Sequence, residues 1–189
     1  MKRIVILLVS AIFLTLTASV ATANDSPTVQ LQATIDKVLE VLGTDLEDKP
    51  AHIAEVIRPR FDFERMAKLT LHKHWDGQSP QDKKEFIRLF SKLLEKTYIT
   101  KISLYSSPQV EYVRERQNGG RAEVDTNVIV NGTAIKVNYL MYQAGGEWKI
   151  YDVNVEGVSL VRNYRNQLTG ILRTKSFTTL LNTLEQKVS

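Results

Sequence analysis

The sequence of 189 residues contains no cysteine. Disulfide bonds are therefore excluded, and the apolar core alone has to hold the fold together. The same absence excludes an N-terminal lipid anchor attached through a cysteine thiol. After the N-terminal segment, no apolar run reaches the ~20 residues that a membrane-spanning helix requires. The remaining composition, 43% hydrophobic and 24% charged residues, is typical of a folded globular domain.

Positive charge exceeds negative charge only slightly. Without Lys2 and Arg3 the formal net charge falls from +4 to +2. A balance this mild is not the electrostatic footprint of a nucleic-acid-binding protein, and we expect no nucleic-acid partner.

The N-terminus has the pattern of a secretory signal. Lys2 and Arg3 precede an almost unbroken apolar run over residues 4–16, and the sequence ATA then supplies a small-x-small cleavage signal. We predict a cleaved signal peptide over residues 1–23 and a single domain over residues 24–189. The alternative is a membrane anchor, for which the apolar run is short. An exported bacterial protein of this kind is expected to be periplasmic.

The first half of the expected mature chain has apolar residues at helical spacing. Ser26, Asp62 and Ser79 each stand where an N-cap is expected, and two of them are followed directly by proline. The pattern predicts helices over residues 27–42, 50–58, 63–75 and about 80–105.

After Pro108 the apolar residues recur at every second position, which is typical of strands. Tight turns are predicted at residues 118–120, 131–132 and 144–146, and the fourth strand begins at Trp148. Four strands joined in this way form an antiparallel meander with one wet and one covered face.

The run WKIYDVNVEGVSLVRNYR, residues 148–165, joins the last strand to a helix. Glu156-Gly157 breaks the strand, a helix is predicted from there to about Arg173, and Ser176 is the expected cap of a last helix. The resulting fold class is α+β, with a four-stranded antiparallel sheet covered by N- and C-terminal helices around an apolar cavity.

Motifs of known catalytic or metal chemistry are lacking. His72 and His74 with Asp76 form a loose run that lacks a third firm ligand, so we predict neither a metal site nor a cofactor. Asp152 and Glu156 flank the exit of the fourth strand. They fit either an acid–base pair or, as we favour, carboxylates that bond the backbone.

In these features the chain resembles the MlaC family of periplasmic phospholipid-binding proteins, also called the toluene-tolerance auxiliary family. The residues that carry the resemblance are Phe61-Asp62-Phe63 with Met66-Ala67, Trp75 before a capped helix, FIRLFSKLLEKTY over residues 86–98, and Trp148 followed by Tyr151-Asp152-Val153, Glu156-Gly157-Val158-Ser159-Leu160 and Tyr164-Arg165. One position departs from the pattern, because a small residue is expected where His72 stands.

The resemblance implies a soluble carrier rather than an enzyme. Such proteins move glycerophospholipid between an inner-membrane ABC transporter complex and an outer-membrane lipoprotein complex, and so maintain the lipid asymmetry of the outer membrane. Exposed acyl chains cost about 0.8 kcal/mol per methylene in water, so a carrier has to enclose the tails. We expect a monomer with an internal apolar pocket and transient contacts to both complexes.

We predict that lipid tails lie between the long helix and the covered face of the sheet. The side chains expected to line this pocket are Leu71, Phe90, Leu94, Tyr98, Val128, Val137, Tyr139, Val153, Val158, Val161, Tyr164 and Leu168. Arg60, Arg162 and Arg165 are the expected contacts to a lipid head group or to a partner's acidic groups, with surface salt bridges as the alternative.

Three alternatives stay open on the sequence. The pocket would suit another lipid, such as a hopanoid or a sterol-like molecule. An enzyme on a cone-shaped α+β scaffold would place Asp152 within hydrogen-bond reach of a histidine. An interaction module would have a filled core and no pocket.

Overall fold

Helices at both ends of the chain flank one antiparallel sheet. The computed structural model describes residues 26–189, and the predicted signal peptide over residues 1–23 lies outside them. The helices are α1 (Pro27–Leu42), α2 (Lys49–Ile57), α3 (Phe63–Leu71), α4 (Pro80–Leu94), α5 (Thr100–Ile102), α6 (Leu160–Leu172) and α7 (Phe177–Val188). The strands are β1 (Gln109–Asn118), β2 (Arg121–Val130), β3 (Thr133–Ala144), β4 (Glu147–Val155) and β5 (Val158–Ser159).

The helices begin where their capping residues predict. The side chains of Ser26, Asp62, Ser79 and Ser176 each accept a hydrogen bond from a backbone N–H of the first turn. This satisfies donors that would otherwise have no partner within the helix.

The long helix predicted through about residue 105 is interrupted. Helix α4 ends at Leu94, and a π-helical turn over Glu95–Ile99 connects it to the short helix α5. A π turn inserts one extra residue and rotates the side chains that follow. It places Ile99 in a cluster with Ile53 and Ala54 of α2.

The sheet follows the chain order β1-β2-β3-β4-β5, and all neighbouring strands are antiparallel. The fifth strand was not predicted. Glu156 and Gly157 have φ of 50° and 78° and form a tight turn, after which Val158 pairs with Val155. The expected handover from strand to helix is therefore a short hairpin, and α6 begins only at Leu160.

Two register shifts change which side chains face the helices. In β1 the shift lies between Tyr112 and Arg114. Glu115 then stands opposite the buried Val124 and reaches α1, where it accepts a hydrogen bond from the backbone N–H of Thr28 at 2.8 Å. A bulge re-aims side chains in this way because it adds one residue to one strand only. In β3–β4 the shift lies between Leu140 and Met141.

One face of the sheet is polar, as predicted. Arg114 and Arg116 form ion pairs with Asp125 and Glu123, and the side chain of Asn138 donates to Asp125. The opposite face is covered by the helices and carries the apolar residues.

The buried apolar residues form three clusters. The helical cluster is built mainly from α3, α4, α6 and α7, and its largest fully buried side chains are Phe86 and Phe90. The sheet cluster packs Leu31 of α1 on strand residues that include Ile150. The third cluster joins α2 to the π turn. Phe61 packs against both the helical and the sheet cluster, so these two adjoin.

Helix α3 is anchored to the edge of the sheet. The backbone N–H of Asp62 donates to the carbonyl of Ile150 at 2.9 Å, and the N–H of Ile150 donates to the carbonyl of Arg60 at 2.9 Å. The guanidinium of Arg65 lies 4.0 Å from the ring centroid of Tyr142, whose hydroxyl donates to Asp62. Among residues 26–189, none of the helices has the length and apolar composition that crossing a bilayer demands.

Candidate functional site

The helical side of the predicted pocket is a densely packed wall. Six of the predicted lining residues are buried together in the helical cluster, and Tyr98 packs against it: the six are Leu71, Phe90, Leu94, Val161, Tyr164 and Leu168. The rings of Phe90 and Tyr164 meet edge to face, with centroids 5.5 Å apart. The helical spacing of apolar residues in α4 and α6 brings these side chains to one side.

The sheet side of the predicted pocket is less deeply covered. Val153 is buried in the sheet cluster, while Val137 and Tyr139 are partly buried and pack against it. Cross-strand pairing of Tyr139 with Val153, and of Val137 with Val155, places them on one face. Val128 of β2 pairs with Ile135 and is partly buried.

The helical and the sheet cluster adjoin at Phe61 and at the start of α6, and we call this boundary the seam. We assign to its sheet side four partly buried residues that pack on the sheet cluster: Val137, Tyr139, Val155 and Leu160. On the helical side the next residue along α6, Val161, already belongs to the helical cluster. The structure thus divides the predicted pocket into two packed layers that adjoin at the start of α6.

Val158 lies elsewhere than predicted. It was expected on the first turn of a helix that lines the pocket, but it belongs to β5 and is 56% exposed. The helical period led to this error, because Val158, Val161 and Tyr164 keep helical spacing although α6 begins at Leu160.

Tyr139 on the sheet wall and Tyr98 on the helical wall each carry a phenolic hydroxyl. Burial raises the pKa of Tyr139 to about 12, although its contact with Thr126 acts in the opposite direction. Burial also raises the pKa of Tyr98 to about 12, and the neighbouring Tyr164 adds to this shift. These phenols therefore stay neutral hydrogen-bond donors at ordinary pH.

Tyr112 was not among the residues predicted to line the pocket, but it packs against the sheet cluster. Its hydroxyl oxygen is buried, and within residues 26–189 no hydrogen-bond partner lies in reach. Burial first, and then Asp36 and Tyr139, raise the pKa of this phenol. A buried polar atom without a partner is destabilising, so it marks a place where a ligand or water atom would fit. Alternation along β1 was the available signal, but the register shift directly after Tyr112 obscures it.

The three predicted arginine contacts have different surroundings. Arg60 is engaged inside the fold: its Nη1 donates to Gln30 Oε1 and to the carbonyl of Trp148, each at 2.7 Å. Burial lowers the pKa of this guanidinium. Arg162 is exposed on α6, and Nε of Arg165 donates to the carbonyl of Leu69 at 2.9 Å.

Two surface concavities lie beside the helices. One, of about 520 Å³, is lined by the end of α1 and residues 103–108. The other, of about 490 Å³, lies between the end of α3 and α6 and includes Arg165. Neither is lined by any of the twelve residues predicted to contact lipid tails.

Asp152 holds the start of α6. Its carboxylate accepts hydrogen bonds from the N–H groups of Val153 and Val161, at 2.8 and 3.1 Å, and from the hydroxyl of Ser159 at 2.5 Å. Glu156 accepts from the backbone N–H of Lys136. None of the hydrogen-bond partners of Asp152 in the described chain is a histidine, which is the contact that would favour an enzyme. Among residues 26–189, no three side chains lie together in a way that could hold a metal ion.

The fold and the site define an α+β domain in which helices cover one face of a meander sheet and in which apolar and phenolic side chains line the boundary between the two layers. Residues 30–186 match the family described as MlaC protein, and the chain belongs to this family. The predicted resemblance is therefore confirmed.

Two known proteins illustrate the match. A protein of Haemophilus influenzae described as the intermembrane phospholipid transport system binding protein MlaC is 25% identical over 182 residues, which cover 89% of this chain and 85% of that protein. A phospholipid-binding protein from Ralstonia solanacearum, solved in complex with a phospholipid, superimposes with a TM-score of 0.75 and 24% identity. That alignment covers 84% of this chain and 94% of the solved one, and it confirms the α+β fold.

Proposed function

We propose that this protein is a periplasmic carrier that encloses the acyl chains of a phospholipid and moves the lipid between the two membranes. Membership of the MlaC family over residues 30–186 is the observation that carries the proposal. The relative from H. influenzae is described as part of an intermembrane phospholipid transport system, and the structure from R. solanacearum holds a phospholipid. Both descriptions agree with a lipid ligand here.

The tails are proposed to lie at the seam. Two chains of roughly fifteen methylenes each would cost about 24 kcal/mol if exposed to water, far more than a surface contact recovers. An empty apolar cavity is also costly, so the two walls are expected to close on each other when no lipid is present. Separating them at the seam exposes the apolar side chains of Val137, Val155 and Leu160 to the tails. No ion pair of the described residues joins the two walls.

The polar end of the lipid is proposed to meet the phenols. Tyr112 offers a buried hydroxyl without a partner, and Tyr139 lies beside it as a second neutral donor. Ester carbonyl oxygens of a glycerophospholipid accept hydrogen bonds and fit these donors. A hydrocarbon without such oxygens would leave the Tyr112 hydroxyl unsatisfied.

Transport needs partners at both membranes. We propose transient docking to an inner-membrane ABC transporter complex and to an outer-membrane lipoprotein complex, with outer-membrane lipid asymmetry as the result. The carrier works as a monomer and performs no catalysis, since enclosure requires an apolar site and a gate rather than a reacting group. Export through the predicted signal peptide over residues 1–23 would place it between the membranes.

Organic extraction of the purified protein, followed by mass spectrometry, tests this function. We expect glycerophospholipid in an amount comparable to that of the protein. Recovery of a hopanoid or a sterol-like molecule would replace the phospholipid with another ligand of the same pocket. Protein that yields no lipid in repeated preparations, even after incubation with phospholipid vesicles, would contradict the carrier function altogether.

A further inference from the structure

Helix α6 and the residues that follow it carry positive charge without any acidic residue. Between residues 160 and 175 the sequence has Arg162, Arg165, Arg173 and Lys175, and neither Asp nor Glu. On the adjoining end of α3, Lys68 and the segment His72–His74 add further basic groups. A surface of one sign that the protein leaves uncompensated is typical of an interaction site.

Four arginines elsewhere in the fold form ion pairs with carboxylates. The four arginines in such ion pairs are Arg58, Arg88, Arg114 and Arg116. Within residues 26–189, no carboxylate lies within 4.0 Å of Lys68, Lys73 or the cations of α6.

The basic groups surround a defined concavity, which we call the α3–α6 groove. Its volume is about 490 Å³, and its polar lining is His72, Lys73, Arg165, Asn166, Thr169 and Arg173. The Nε atom of Arg165 donates a hydrogen bond to the carbonyl oxygen of Leu69 at 2.9 Å, and this bond orients the guanidinium. Its Nη atoms form no hydrogen bond within the described chain, so they remain available to an anionic group in the groove.

A strained residue stands at the rim of this groove. His72 has φ of 49° and ψ of −119°, a conformation that glycine adopts far more readily. Its imidazole is exposed beside Lys73. The protein thus keeps a basic side chain at a position where its backbone conformation favours glycine.

Apolar anchors are lacking at the groove. The large apolar residues that are exposed in the described chain are Val29, Leu46, Leu104, Val113 and Val158, and none of them lines it. Peripheral binding to a bilayer is strongest when buried apolar side chains add to the attraction of basic residues for anionic lipids. A concave groove that carries cationic side chains and no large apolar side chain fits carboxylates projecting from a protein surface better than it fits a flat membrane.

We propose that the α3–α6 groove is a docking site for an acidic segment of a protein partner in lipid transfer. The inference rests on the proposed function in one respect, namely that the partner is one of the two transport complexes. The proposal locates the contact with the partner at this groove and attributes the binding to complementary charges. The seam and the groove are then separate sites, one for the lipid and one for the partner.

The test compares two charge-reversal variants. Lys73→Glu with Arg173→Glu changes the groove, and Lys37→Glu with Arg121→Glu makes the same change of net charge on α1 and β2, at exposed cations without ion pairs. The probes are phosphatidylcholine nanodiscs that contain the ABC transporter complex or the outer-membrane lipoprotein complex, empty discs of the same lipid, and empty discs containing anionic phosphatidylglycerol.

For at least one complex, the groove variant should bind roughly tenfold or more weakly than the parent protein, whereas the control variant should stay within about twofold. Added salt should weaken parent binding and narrow the gap between the variants. Equal binding of both variants, or an equal loss in both, would overturn the proposal. Parent binding to empty anionic discs that matches binding to the complexes would assign the groove to a membrane surface instead.

Lipid extraction from the same samples separates the two hypotheses. If the parent protein carries phospholipid while reversal of the groove leaves docking intact, the docking proposal fails and the carrier function stands. If the parent carries no lipid but the groove variant loses docking, the carrier function fails and the docking surface stands.

Discussion

The two walls of the seam differ in how completely they are buried. On the helical side Phe86 and Phe90 are 0% exposed, and their rings stack at 5.6 Å. On the sheet side Val137, Tyr139 and Val155 are only partly buried. The lining residues of the helical wall are therefore mostly buried, whereas on the sheet wall only Val153 is buried and the other lining residues keep part of their apolar surface exposed.

This difference indicates which layer moves when a lipid enters. The helical cluster draws on α3, α4, α6 and α7, and opening it would expose many fully buried side chains at once. Opening the sheet wall exposes less additional apolar surface, because its seam residues already contact solvent in part. We expect the helical layer to stay intact while α1 and the strands far from β4 move away from it, because β4 is bonded to the start of α3 at Ile150 and to α6 at Asp152.

The largest effect should come from filling the seam. Val137→Trp places an indole on the sheet wall and should reduce lipid recovered by extraction from near stoichiometric to a few per cent of the protein. Val113→Trp is the matched control, because Val113 lies at the register shift in β1 and is 60% exposed. Mass spectrometry of extracts from both variants measures the difference. Equal lipid content in the two variants would show that Val137 does not line the lipid site.

Truncating a side chain should destabilise the protein more on the helical wall than on the sheet wall. Phe90→Ala removes a fully buried ring of the helical wall and should lower the free energy of unfolding by about 3–5 kcal/mol. Val155→Ala on the sheet wall should lower it by less than about 1.5 kcal/mol, since that side chain is small and partly exposed. Urea unfolding of lipid-free protein measures both. A loss at Val155 as large as the loss at Phe90 would contradict the lower burial of the sheet wall.

Local signals in the sequence predicted much of the fold. Ser26, Asp62 and Ser79 cap helices because their side chains bond the next turn, a contact that needs only neighbouring residues. The turn at Asn131-Gly132 follows equally local rules, with φ of 51° and 77°. Such features depend on a few residues, so they can be recognised without the rest of the chain.

The features that were missed depend on distant partners. The apolar spacing from Phe86 to Tyr105 fits an uninterrupted helix, and only packing of Ile99 against α2 reveals the π turn. The register shift at Tyr112 and the two-residue strand β5 likewise arise from pairing between strands. Helical spacing identified residues that are buried together in the helical cluster, whereas the positions of Tyr112 and Val158 depend on the strand register.

Removing one hydroxyl should distinguish binding from stability on the sheet wall. Tyr112→Phe deletes a buried oxygen that has no partner within the described chain, so the free energy of unfolding of the lipid-free protein should change little or rise. If this phenol donates to the lipid, affinity should fall by roughly tenfold, about 1.4 kcal/mol. Urea unfolding and titration with a fluorescent phospholipid give the two values. Unchanged affinity would mean that Tyr112 does not contact the ligand.

The smallest expected effect concerns the end of α3, where the helical wall meets the groove. His72 adopts φ of 49° and ψ of −119°, and holding a side chain there costs about 1–3 kcal/mol. Glycine relieves this strain but loses about 0.5–1 kcal/mol through the entropy of the unfolded chain. His72→Gly should therefore raise the free energy of unfolding by about 1 kcal/mol. His74→Gly lacks any such strain to relieve and should lower it by about 0.5–1 kcal/mol. If the free energy of unfolding rises for His72→Gly and falls for His74→Gly, backbone conformation decides the outcome. If it falls for both variants, His72 is unstrained and its imidazole stabilises this end of the helical wall.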